Sequence, residues 1–173
     1  DYTSAIGANS TASGFQATAV GAVAAATNGS VAIGAFANAT ATNGVAIGVA
    51  SNATGLSSVA VGENARAEGN RSIVFGYQAV ANANDAIALG YQANASYSNS
   101  VALGDGVATN RSDQIAIGKA GSEVTIANVA GTGNEMVYAN GDGTLKRAVG
   151  ISVSSGSLTI ANDLSVGGAS ALH

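Results

Sequence analysis

The sequence predicts an all-β protein, a parallel β-roll solenoid with 14 residues per coil, and three observations carry that prediction. A four-residue pattern ending in glycine returns nine times between Ser4 and Gly118. Its glycines stand 14 residues apart at every step except Gly21 to Gly34, which is 13. The composition agrees: 24 glycines, no proline, 9% charged residues, and a 47% hydrophobic share drawn mostly from Ala, Val and Ile suit tightly wound strands without a thick core.

In chain order the copies are Ser4-Ala5-Ile6-Gly7, Thr18-Ala19-Val20-Gly21, Val31-Ala32-Ile33-Gly34, Val45-Ala46-Ile47-Gly48, Val59-Ala60-Val61-Gly62, Ile73-Val74-Phe75-Gly76, Ile87-Ala88-Leu89-Gly90, Val101-Ala102-Leu103-Gly104 and Ile115-Ala116-Ile117-Gly118. The residue just before each glycine is bulky and apolar, as is the one three before it in the last seven copies. Side chains alternate along a strand, so these two share a face. The third and fifth positions after the glycine are small, as in Ala37 with Ala39 and Ala65 with Ala67. Each repeat is therefore expected to fold into two facing strands, a bulky pair against a small pair, closed by two tight turns. A three-sided hexapeptide helix needs a period of roughly 18, and a calcium-binding nonapeptide roll needs G-G-x-G-x-D, which is absent.

On this reading the residue between the two bulky ones points away from the coil. It is Ala5, Ala19, Ala32, Ala46, Ala60, Val74, Ala88, Ala102 and Ala116. An outward position bathed in water drifts to polar residues. One that stays small and apolar suggests close packing against further copies of the chain, and the column is assigned as the interface of a cyclic homo-oligomer. The competing reading is that it reflects only the compactness of a monomer.

The glycine ends each strand where the chain turns sharply or adopts positive φ. The returns are segments such as Thr27-Asn28-Gly29-Ser30, Thr42-Asn43-Gly44 and Asn82-Ala83-Asn84-Asp85, rich in turn formers. Tyr77-Gln78 and Tyr91-Gln92 occupy the same phase in successive coils. This ladder is a candidate contact for a protein or sugar ligand, with turn packing as the alternative. Glu63, Asp105 and Lys119 share the tyrosines' phase and read as a solvated rim, not a catalytic pair.

Several functions are disfavoured. The net charge is −4 and the six basic residues are scattered, so no nucleic-acid partner is expected. No run approaches the roughly 20 apolar residues that span a bilayer. The chain opens on Asp1 and reads as an excised piece without a membrane anchor. With no cysteine and a single terminal histidine, His173, there is no signature of a metal site, and no nucleotide loop or other cofactor motif occurs.

Two domains are expected: 1–118, the roll, and 119–173, a β-rich neck, cap or fibre-shaft segment. In the second, Val124 to Val129 and Met136-Val137-Tyr138 alternate as strands, and Asn140-Gly141-Asp142-Gly143 is a turn signal. Val149 to Val153 and Leu158-Thr159-Ile160 form two further runs before Leu164 to Gly168.

The recurring V-A-I-G followed by x-x-A-x-A and an Asn/Gly/Ser turn resembles the head repeat of the YadA-like trimeric autotransporter adhesins, copy by copy from residue 4 to about 118. The resemblance implies a homotrimer of left-handed parallel β-rolls at a bacterial cell surface. It further implies a non-enzymatic fibre head, bound to extracellular matrix, host cells or surface glycans and carrying no cofactor. The run from Ala130 to Leu145 and the later Leu164-Ser165-Val166-Gly167-Gly168 are similar to modules of phage tail fibres and long bacterial surface fibres. The alternative function is therefore a structural shaft or receptor-binding segment of a phage tail fibre.

Overall fold

The computed structural model describes residues 2–124 and, beyond them, the strands over 135–139, 145–154 and 157–160. Two compact units result, Asp1–Glu123 and Val124–His173.

Each coil of the first unit lays one short strand into each of two sheets. β1 (Ser4–Ile6), β3 (Thr18–Val20), β5 (Val31–Ile33), β7 (Val45–Ile47), β9 (Val59–Val61), β11 (Ile73–Phe75), β13 (Ile87–Leu89), β15 (Val101–Leu103) and β16 (Ile115–Ile117) pair in that order as nine-stranded sheet A. β2 (Thr11–Ser13), β4 (Ala25–Thr27), β6 (Asn38–Ala39), β8 (Asn52–Ala53), β10 (Arg66–Ala67), β12 (Val80–Ala81) and β14 (Asn94–Ala95) form seven-stranded sheet B. All these pairings are parallel and in phase: Ala46 sits between Ala32 and Ala60, and Arg66 between Asn52 and Val80. The predicted parallel roll with 14 residues per coil is the fold observed.

The inside and outside of sheet A are the reverse of the expected ones. Ala19, Ala32, Ala46, Ala60, Val74, Ala88 and Ala102 are fully buried within the single chain. Only the end members differ, Ala5 exposed and Ala116 half-buried. A side chain enclosed by its own coil cannot also pack on a second copy, so the alanine column is the protomer's core and not an interface. The bulky neighbours face out instead, with Ile33 40%, Ile47 37%, Phe75 47% and Leu103 41% exposed.

The reason is the width of the coil. With turns this tight the two sheets close on four columns of small side chains. Sheet A contributes the alanines and the position two before them, Ala17, Ser30, Gly44, Ser58, Ser72, Ala86 and Ser100. Opposite stand the small pairs after each glycine, such as Ala37 with Ala39 and Ala65 with Ala67, all buried as expected. Facing sheets ordinarily lie about 10 Å apart, with branched side chains interdigitating between them. A layer built mainly from methyls and hydroxyls is thinner; it admits a valine at Val74 and at Val107, while branched side chains in every rung would force the sheets apart.

The turns fix this spacing. Gly48 takes φ +130°, and a Cβ on it would stand 2.5 Å from the carbonyl oxygen of Gly62 in the next coil. No other residue satisfies both conditions. Two residues on, the chain is left-handed again at Ala50 (φ 53°), and a second turn reaches φ 55° at Ser57. Hydrogen bonding between coils continues through these turns, the Ala50 N–H donating to the Ala35 carbonyl at 2.9 Å and that of Ser57 to Thr42 at 3.0 Å. The 13-residue step has a local explanation. Asn28 and Gly29 are both left-handed (φ 30° and 74°) and the Ser30 N–H donates to the Thr27 carbonyl at 2.9 Å. A two-residue Asn-Gly turn of this kind replaces the usual three-residue return, so one residue drops out with no change in the strands.

In the second unit β17 (Glu135–Ala139), β18 (Leu145–Ser154) and β19 (Ser157–Ile160) form an antiparallel sheet in sequential order. β17 contains the predicted Met136–Tyr138 strand, and β18 and β19 contain the two later runs. β17 and β18 pair from Ala139 opposite Leu145, on either side of the predicted turn. Residues 125–129 of the strand expected from Val124, the turn residues Asn140 to Gly143 and the run Leu164 to Gly168 lie outside the described residues.

Candidate functional surfaces

The outward residues of the roll sort into an apolar face, a polar face and two ridges of turns. Sheet A turns out two columns, Val31, Val45, Val59, Ile73, Ile87 and Val101 on one side and Ile33, Ile47, Val61, Phe75, Leu89 and Leu103 on the other. Every one is half-buried or exposed in the single chain. At about 4.8 Å per coil these six rungs give a face roughly 30 Å long with no polar interruption.

Sheet B turns out residues that differ from coil to coil: Asn38 and Thr40, Asn52 and Thr54, Arg66 and Glu68, Val80 and Asn82, Asn94 and Ser96. Between coils, the Asn38 Nδ2 donates to the Asn52 Oδ1 at 3.0 Å and the Ser96 Oγ donates to the Asn82 Oδ1 at 3.1 Å; within one coil, the Arg66 Nε donates to the Glu68 Oε1 at 2.9 Å.

On the ridge after each glycine the structure brings the predicted aromatic and amide pairs together. The Tyr77 and Tyr91 rings stack with centroids 5.4 Å apart and planes 9° from parallel, and the Gln92 Nε2 donates to the Gln78 Oε1 at 2.9 Å. The four side chains thus support one another while Tyr91 stays 52% exposed. Lys119 pairs with Asp105 at 2.7 Å, as a solvated rim would.

On the opposite ridge Arg71 and Asp85 form a two-pronged pair, both bonds 2.6 Å. The hydrogen bonds from Arg71 hold the Asp85 carboxyl below its ordinary 3.8; desolvation opposes them, and the guanidinium charge adds a smaller pull downward. Asn70 and Asn84 lock the same ridge, each side-chain oxygen accepting an N–H from the preceding coil at 3.0 Å.

Two shallow depressions mark the roll. The larger, about 350 Å³, is lined by Phe36, Asn38, Ala50, Ser51, Asn52, Asn64 and Arg66. The smaller, about 250 Å³, lies between Phe15, Gln16, Asn28, Gly29, Thr42 and Asn43. Sequence reasoning did not join Phe36 to Asn38 and Asn52, and it missed the apolar face of sheet A. The signal for that face was the small residue two positions before each alanine, which gives sheet A its own small inward pair. Among the described residues no group of three or more His, Cys, Asp or Glu is placed to hold a metal ion. The chemistry on offer is recognition by aromatic faces, amides and apolar surface.

Comparison with known proteins gives the following. The family model of the YadA head domain repeat matches residues 1–24, 28–51, 53–79 and 81–106. Among solved structures the chain is similar to the collagen-binding domain of the Yersinia adhesin YadA, at 24% identity and a TM-score of 0.53 over 82% of this chain and 94% of that one. No curated protein matches the chain in sequence.

Proposed function

The chain belongs to the YadA head domain repeat family, and from that premise we propose a non-enzymatic, homotrimeric head that adheres through its outer surface at the bacterial cell exterior. One observation carries the reading: the uncovered apolar columns of sheet A, set against the polar face of sheet B. A face roughly 30 Å long and roughly 10 Å wide, about 300 Å², already reaches the size of the largest apolar patch on a typical monomer. Further copies of the chain are its occupant. In a closed ring each protomer meets two neighbours, and two apolar columns supply one contact edge for each. Three copies is the number the family resemblance implies.

Packing sheet A toward a common axis leaves sheet B and the ridges on the outside. The sequence varies there, and Tyr77, Gln78, Tyr91 and Gln92 belong to the surface offered to a ligand. Extracellular matrix proteins are the proposed ligand class, as the similar Yersinia domain is collagen-binding. Light scattering on the purified chain is expected to give three chain masses, and immobilised collagen, fibronectin or laminin is expected to retain it above albumin. A stable monomer overturns the assembly. A trimer retained by none of the three overturns adhesion to matrix and favours the shaft of a tail fibre.

A further inference from the structure

The depression between Phe36 and Arg66 combines an unfavourable residue with an unused recognition set. At the second position after the first eight repeat glycines the backbone is left-handed, and most of these coils place Asn9, Asn64, Gln78, Gln92, Gly106 or the small Ala50 there. Amide side chains tolerate such φ values, whereas aromatic and β-branched ones are outliers. Two successive coils break the rule, with Val23 and Phe36 both at φ 59°. Phe36 is also 60% exposed, so it gains little burial for the strain. A strained, solvent-facing aromatic beside a depression is a pointer to binding.

The rest of the lining supplies polar partners. Ala50, in the next coil, leaves the floor open beside Ser51, and the Asn38–Asn52 bond uses one amide hydrogen of Asn38 and the carbonyl of Asn52. In that bond the Asn38 oxygen remains an acceptor and the Asn52 nitrogen a donor, next to the amide of Asn64. Arg66 is already paired with Glu68, so the site offers no free cation from this residue to an anionic ligand.

We propose that this depression binds a neutral pyranose residue of a glycan, its apolar C–H face on the Phe36 ring and its hydroxyls on the amides of Asn38, Asn52 and Asn64. The inference rests on the adhesion reading above and gives it a ligand class at one position. A polypeptide is the poorer occupant. Strand addition needs a sheet edge, and here the backbone of β6 and β8 is already paired on both sides, in sheet B, with β4 and β10. Proline-rich segments dock in grooves lined by several aromatic rings, and this one has a single ring. Weak single sites repeated on each protomer of an oligomer gain strength by simultaneous engagement.

The test is an array of glycans ending in neutral hexoses or N-acetylhexosamines, probed with the wild-type chain and with Phe36→Asn. Asparagine suits the left-handed backbone, so the variant is expected to melt no lower than wild type while losing at least tenfold in retention. Val23→Asn, which relieves the same left-handed strain at a residue outside the lining, should keep wild-type retention. Wild-type protein retained by none of these glycans, or Phe36→Asn retained equally well, overturns the proposal. So does a Phe36-dependent signal confined to a proline-rich triple-helical peptide. Binding to coated matrix proteins is measured in parallel: matrix binding without glycan retention sinks this inference alone, and loss of both sinks the adhesion reading as well.

Discussion

The outer faces of the two sheets come from the same coils and cover the same alanine-lined interior, yet they differ in nearly every residue. Sheet A repeats Val or Ile beside Ile, Val, Leu or Phe through its central rungs, while sheet B runs through Asn, Thr, Arg, Glu, Val and Ser. Strand propensity does not explain this, because both faces belong to parallel strands of only two or three residues. What differs is the surroundings each face is built for. Uniformity marks a surface that meets the same partner in every rung, and variety marks one that meets water and whatever the water brings.

The most severe way to break the comparison is to attack what the two faces share. Ala60→Asp puts a carboxylate in a fully buried column, and a loss of about 3–5 kcal/mol or more is expected. Circular dichroism and thermal melting would register it as loss of the folded roll. If this variant instead stayed folded and only dissociated, the alanines would be an interface after all. Next comes Ile47→Lys with Phe75→Lys on the face of sheet A, expected to weaken assembly by on the order of 2–4 kcal/mol per protomer. Sedimentation would then show monomers, whereas Asn52→Lys on sheet B should leave the mass unchanged and stability within about 0.5 kcal/mol. Equal effects of the two would erase the distinction between the faces.

Smaller changes sharpen it. The buried hydroxyls of Ser58 and Ser72 have no hydrogen-bond partner, while Ser100 in the same column donates to the Tyr97 carbonyl at 2.6 Å. Ser58→Ala with Ser72→Ala removes two unsatisfied groups and is expected to be neutral or stabilising by up to about 1 kcal/mol, read from denaturant midpoints. A clear loss would mean that those hydroxyls are bonded. The smallest effect is on the exposed ridge. The Asp85 carboxyl titrates below 3.8 in the folded chain, so its pair with Arg71 contributes above that pH and is lost as pH falls through the lower folded value. Asp85→Asn should therefore lower the melting temperature slightly at pH 5 and by less as the pH falls below 3.8, with the difference shrinking in salt. A difference that did not shrink with falling pH would have another origin.

The period, the paired strands, the turn glycines and the small residues after them were legible because each is a local necessity repeated many times. The Tyr77–Tyr91 and Gln78–Gln92 pairs followed from phase alone. The polarity of sheet A was not legible from alternation, which sorts residues into two faces without saying which is inside. Bulk usually goes inward, and that expectation failed because tight turns hold the sheets too close for Val45 or Ile47. Ala17, Ser58 and Ser72, two residues before the alanines, carried the missing information. The depression at Phe36 was hidden for another reason: its walls come from three coils, and only the register of β6, β8 and β10 brings them together.

The shortened coil at Asn28-Gly29 bears on how such a molecule changes over generations. A loop that closes around one fewer residue and still delivers its strands in step means that replication errors near that return are forgiven. Slippage over a full repeat is milder still, since each layer bonds only to those above and below and the seam closes on an identical neighbour. The length of the stack can therefore be selected apart from what each coil carries, and populations can vary the first while keeping the second.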